Sequence, residues 1–148
     1  MIGVYPNEEF EMLVDEAMAR PVVSCDAESS LAAAARLMID EEHGALPVVL
    51  HGSLIGIITE RDILRAVADG RSPAEVTVNE LMTPDPDSLE PDVDVTDAAD
   101  WMLAAGYRHL PVVDDGKVLG MVSMKDIMWA LADGNRCLRE RMNNGAGH

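Results

Sequence analysis

The 148-residue chain sets 11 Lys and Arg against 27 Asp and Glu, a formal charge of −16 at pH 7, while 48 % of its residues are hydrophobic. That aliphatic content excludes a disordered polyanion; the charge disfavours nucleic acid and anionic membranes, and 3 % aromatics leave few base-stacking platforms. No apolar run nears the ~20 residues of a membrane span, no signal-peptide pattern opens the chain, and Cys25 and Cys137 lack ligand or disulfide spacing, so a cytoplasmic chain with free thiols is expected.

In chain order, Asn7 is placed to cap an acidic leader helix running through Met18. Residues 21–24 form an extended lead-in. Ser30 then caps a helix whose apolar face is Leu31, Ala34, Ala35, Met38 and Ile39, with Gly44 at its stop. The strand Ala45-Leu46-Pro47-Val48-Val49 turns at His51-Gly52 into a second strand ending at Thr59. A helix follows over residues 60–68 and stops at Asp69-Gly70, before a polar linker over 71–77 that contains Pro73.

The same order then returns. Residues 85–89 are extended, and Asp94 caps a helix with Val95, Ala98, Ala99, Met102 and Leu103 inward, stopped at Gly106. The strand His109-Leu110-Pro111-Val112-Val113 turns at Asp115-Gly116 into a strand ending at Ser123. A last helix over 124–132 is expected to stop at Asp133-Gly134, with a short helical continuation from Asn135 to Met142 and a frayed tail over 143–148.

Pro47 and Pro111 lie 64 positions apart, and the same offset pairs Met18 with Met82, Ser24 with Ser88, Met38 with Met102 and Gly52 with Gly116. The chain is a tandem duplication. The expected fold is α+β: two β-α-β-β-α repeats related by a pseudo-twofold axis, with their sheets packed together, because a lone unit of this size has a marginal core. The domain reading is a leader (1–17), a first repeat (18–70), a linker (71–81), a second repeat (82–134) and a tail (135–148). A cleft on the axis is the expected ligand seat.

Both copies carry Gly-h-h-[Thr/Ser]-x-[Arg/Lys]-Asp, where h is apolar, at 56–62 and 120–126. Thr59 and Ser123 suit helix N-caps, with Asp62 and Asp126 as capping-box partners. A helix N-terminus also attracts anions, a carboxylate can accept both ribose hydroxyls, and Arg61 or Lys125 supplies a cation for phosphate.

These motifs, with the two Leu-Pro-Val-Val strands and Gly106-Tyr107-Arg108-His109, resemble a tandem pair of cystathionine-β-synthase-type (CBS) domains, the Bateman module, over roughly residues 10–134. The resemblance implies a non-catalytic regulatory module with no required cofactor. It would bind AMP, ADP, ATP or S-adenosylmethionine in the cleft, form a homodimer and signal to an effector protein. It further implies that Asp62 and Asp126 hold ribose hydroxyls, and that Thr59, Ser123, Arg61 and Lys125 face ribose or phosphate. The backbone near Ala45, Pro47, His109 and Pro111 would read the adenine edge, with Val22, Val23, Ser24, Asp87 and Ser88 closing over the base.

The copies differ. Arg108-His109 answers to Gly44-Ala45, and the apolar Val22-Val23 answers to Pro86-Asp87; the reading favours the site walled by Val22 and Val23. A ligand-free dimerisation or interaction module is the alternative. No metal site and no catalytic constellation is expected.

Overall fold

The computed structural model describes residues 11–19 and 21–145, with side chains as far as 134. The cap proposed at Asn7 and the end of the tail lie outside the described residues, as does the side chain of Cys137.

The first copy comprises β1 (Cys25–Asp26), α2 (Leu31–Glu41), β2 (Ala45–Leu50), β3 (Ser53–Thr59) and α3 (Glu60–Ala68), preceded by α1 (Val14–Ala17). The second comprises α4 (Val78–Leu81), β4 (Thr83–Pro84), α5 (Val95–Ala105), β5 (His109–Asp114), β6 (Lys117–Ser123) and α6 (Met124–Gly145). The fold is mixed α/β, with one six-stranded sheet in the order β1-β2-β3-β6-β5 and β4 laid against β3.

Both hairpins are two-residue turns whose central residues have positive φ, at His51 (51°) and Gly52 (81°) and at Asp115 (50°) and Gly116 (77°). That is type I′ geometry, whose twist matches the flanking strands. A register shift follows Val48 in one hairpin and Val112, its counterpart, in the other. The pseudo-twofold therefore extends to the irregularities. The two hairpins meet where Ser53 pairs with Lys117, and Ala45, Ile57 and Met121 form a small apolar cluster between the copies.

Four local expectations are corrected. The leader helix does not run through to Met18 from the N-terminal side: among the described residues it is the single turn α1, with Leu13 and Met18 on either side extended at ψ 154° and 153°. The lead strand falls at Cys25–Asp26, one residue beyond 21–24, and its counterpart shrinks to a single Leu89–Val112 bridge. Helix α2 ends earlier than Gly44: Glu42 takes the left-handed C-cap at φ 56°, the position that Gly106 fills in the second copy at φ 77°. Helix α6 does not stop at Asp133-Gly134 but runs unbroken to Gly145.

The segments that precede each copy cross over. The amide of Val14 donates to Val93 O at 2.8 Å and that of Val95 to Met12 O at 2.9 Å. Their counterparts join Val78 to Ser29 at 2.8 Å and Leu31 to Val76 at 2.9 Å. As a result Val14 and Met18, which come before the first copy, sit in the second copy's core with Leu110, Val122 and Ile127. Val78 and Val76 fill the first copy's core with Leu31, Leu46 and Ile58. Truncating Leu31, Leu46, Ile58, Leu110 or Ile127, each at most 2 % exposed, to Ala removes about 2–5 kcal/mol of stability. The crossing continues in strand pairing: Thr83 pairs with Ile57, and Ala19 bridges Met121.

Candidate functional site

A cavity of about 420 Å³ opens between the copies. The first copy contributes Ile57 and Thr59 from the end of β3, Glu60 and Arg61 from the first turn of α3, and Gly44. The second contributes the crossing segment from Thr83 to Asp87 and the run from Gly106 through Pro111 that enters β5. Only the Thr83–Asp87 wall is placed by the crossover.

Thr59 is held by a reciprocal box. Its amide and its hydroxyl both donate to Asp62 Oδ2 at 2.9 Å, and the Asp62 amide donates to Thr59 Oγ1 at 3.3 Å. Ser123 and Asp126 repeat the arrangement at 2.9 and 3.1 Å. The capping reading of both motifs is therefore realised. The next amide is engaged as well: Glu60 N–H donates to Gly44 O and Met124 N–H to Arg108 O, each at 2.9 Å. Two of the first three amides of each helix are already bonded, which reduces what these N-termini offer an anion.

His109 stands where the copies meet. Its ring and the Glu60 carboxyl both reach to 3.5 Å from the point where a β-carbon on Gly44 would stand. Burial pushes the imidazole below the ordinary histidine value, against the upward pull of Glu60 and Asp126, and Arg108 and His43 lower it further. Between two lining residues the Tyr107 hydroxyl donates to the Asp87 carboxylate, and the tyrosine ring meets Trp101 edge-on at 5.7 Å. That hydrogen bond chiefly raises the Tyr107 pKa.

Of the residues singled out by sequence, Thr59, Arg61, Arg108, His109 and Pro111 line this cavity together. Val22, Val23, Ala45, Pro47, Asp62, Ser88, Ser123, Lys125 and Asp126 do not line it, and Ser24 lines a separate shallow depression beside Cys25. Ala45 is buried at the copy interface and Val22 is 41 % exposed. The wall present here is Pro86-Asp87, the counterpart of Val22-Val23. Glu60, Asp85 and Tyr107 were missed as lining residues. Glu60 occupies the unconstrained position of the shared motif, and the other two become neighbours only through folding. No helix among the described residues is long and apolar enough to cross a membrane, and no cluster of three metal-ligating side chains occurs among them.

The CBS domain family model matches residues 14–69 and again 78–133. CBS domain-containing protein YhcV of Bacillus subtilis is 35 % identical over 115 residues, covering 77 % of this chain and 81 % of that protein. An uncharacterized 17.7 kDa protein of Acidianus ambivalens is 42 % identical over 108 residues, covering 70 % of this chain but only 63 % of the relative's length. Among solved structures, the CBS domain pair of protein MJ0100, in complex with 5′-methylthioadenosine and S-adenosyl-L-methionine, superposes with a TM-score of 0.76 at 31 % identity, covering 83 % of this chain and 98 % of that one. Two family matches at the two copies, over a fold that superposes on a solved CBS domain pair, make the conclusion direct: the chain belongs to the CBS domain family and is a tandem CBS pair.

Proposed function

We propose that this pair is a non-catalytic regulatory module whose cleft takes an adenosyl ligand, AMP, ADP, ATP or S-adenosylmethionine, and whose occupancy signals to a partner protein. The observation that carries this reading is the cavity's construction from both copies. A ligand seated there touches two units at once, so it stabilises whichever relative placement of the copies it fits best. A similar pair is known in complex with 5′-methylthioadenosine and S-adenosyl-L-methionine, which supports the ligand class. In this reading Thr59 and Arg61 face ribose or phosphate, Arg108 supplies a second cation, and the His109–Pro111 backbone reads the adenine edge. Asp62, fixed in the cap with Thr59, accepts from the ribose hydroxyls here, and Asp126, fixed in the cap with Ser123, does so in a second seat. Lys125, Ser123, Ala45, Pro47, Val22, Val23, Ser24 and Ser88 would serve a second seat related by the pseudo-twofold.

The homodimer belongs to the same proposal. Ile39 and its counterpart Leu103 are 67 % and 69 % exposed, and Leu64 and its counterpart Met128 are 68 % and 66 % exposed. Four large apolar side chains paired by the pseudo-twofold suit a self-complementary interface. The free thiol of Cys25 fits a reducing, cytoplasmic setting.

Isothermal titration with the four ligands tests the module. Heat from at least one, and a stabilisation of about 2.7 kcal/mol at a hundredfold excess over Kd, is expected. Silence from all four with the protein folded favours the second reading, a ligand-free interaction module. The engaged helix amides and the carboxylates of the cavity are the observations on that side.

A further inference from the structure

The charge of the cavity narrows which adenosyl ligand fits, on the assumption that the proposed reading is right. Two guanidinium groups, Arg61 and Arg108, line it against three carboxylates, Glu60, Asp85 and Asp87. His109 adds little positive charge near neutrality because burial favours its neutral form. At the head of α3, which borders this cavity, two of the first three helix amides are engaged, by Gly44 O and Thr59 Oγ1. Asp85 is anchored, since its amide donates to Ile55 O at 3.1 Å and its backbone sits at φ 45°. Asp87, in the lining, accepts from the Tyr107 hydroxyl. The Asp87 carboxylate is thus fixed by a side-chain bond, whereas Asp85 is fixed at its backbone.

We infer that this cleft selects an adenosyl ligand bearing at most one phosphate or a positively charged tail, and that the lining carboxylates Glu60, Asp85 and Asp87 together set the discrimination against polyphosphates. A triphosphate would bring several negative charges to a lining that already has an excess of one. An aminosulfonium tail brings the opposite sign, and a monophosphate can be matched by Arg61 and Arg108 alone. The whole chain's −16 adds a long-range field in the same direction.

The test is titration of the intact protein with S-adenosylmethionine, AMP and ATP at 50 and 300 mM salt, for the wild type, Asp87→Asn and Tyr107→Phe. S-adenosylmethionine or AMP is expected to bind at least tenfold more tightly than ATP, with the gap shrinking at high salt. Asp87→Asn keeps an acceptor for Tyr107 and removes the charge, and it should strengthen ATP binding at least threefold. Tyr107→Phe keeps the charge and should leave the order of ligands unchanged. Asp85→Asn is the second charge-removing variant should Asp87→Asn fold poorly, which melting would reveal. ATP binding as tightly as the other two, or gaining nothing in both Asp→Asn variants, overturns the inference while leaving the sensor reading intact. No binding by any of the three overturns both, and is recognised because the wild type is silent too.

Discussion

Met82 lies across Gly56 so closely that a β-carbon on residue 56 would stand 2.4 Å from the methionine Sδ and 3.1 Å from the Thr83 carbonyl oxygen. Met18 covers Gly120 in the same way, with 2.7 Å to Sδ and 3.0 Å to the Ala19 oxygen. The glycine that opens each shared motif is therefore required by the crossing segment above it, with no help from unusual backbone angles.

Gly56→Ala and Gly120→Ala should each lower stability by about 1–3 kcal/mol, because the sulfur can move aside but the carbonyl beside it is tied into strand pairing. Urea unfolding measures the loss. Equal stability in both variants would show that the crossing segments yield freely.

Thr59→Ala and Ser123→Ala remove the side chains that close the two capping boxes. Each should cost about 0.5–2 kcal/mol with no ligand present. Chemical denaturation without nucleotide separates this structural role from any role in binding. An unchanged midpoint would mean that the caps contribute nothing.

His109 gives a pH dependence of defined sign. Its folded-state pKa is lowered, chiefly by burial, so the unfolded chain binds more protons in the window below the ordinary value of about 6.5. The stability contributed by the neutral ring is complete above that value and is lost as pH falls through the folded-state pKa. Subtracting the unfolding free energy of His109→Gln from that of the wild type should give a difference that is flat above neutrality and declines towards acid. A flat difference down to pH 5 contradicts the assignment.

Cys25 is 6 % exposed, and burial, aided by Asp26, pushes its thiol up to about 11. In a Cys137→Ser background at pH 8, a thiol reagent should modify Cys25 at least about 100-fold more slowly in the folded protein than in urea, because the thiolate is the nucleophile. Equal rates would show that the β1 region opens readily.

Features written in a few adjacent residues were legible in the sequence. His51-Gly52 and Asp115-Gly116 announce their turns because both positions demand positive φ, and Ser30 caps α2 through a 3.1 Å bond to the Ala33 amide. The stop of α2 was misplaced because the offset of 64 sets Glu42, not Gly44, against Gly106, and a non-glycine residue took the left-handed position. Asp69-Gly70 and Asp133-Gly134 look alike, yet only the first ends a helix. Pro73 follows it closely, whereas Asn135 and the residues after it continue the helical backbone. The cavity was half legible. Thr59, Arg61, Arg108 and His109 stand out in motifs, but Asp85 reaches it only because the copies exchange their leading segments, Tyr107 only because the two copies pack together, and no local pattern records either.

The exchange also says something about how such a chain arises. A molecule with one copy would present an empty groove in its core and a short helix with nowhere of its own to go. Two such molecules could satisfy each other by trading helices, as in a domain-swapped pair. Joining the twins head to tail through residues 71–77 turns that concentration-dependent partnership into a permanent one. It then leaves the two halves free to diverge, as Asp87 opposite Val23 and His109 opposite Ala45 already have.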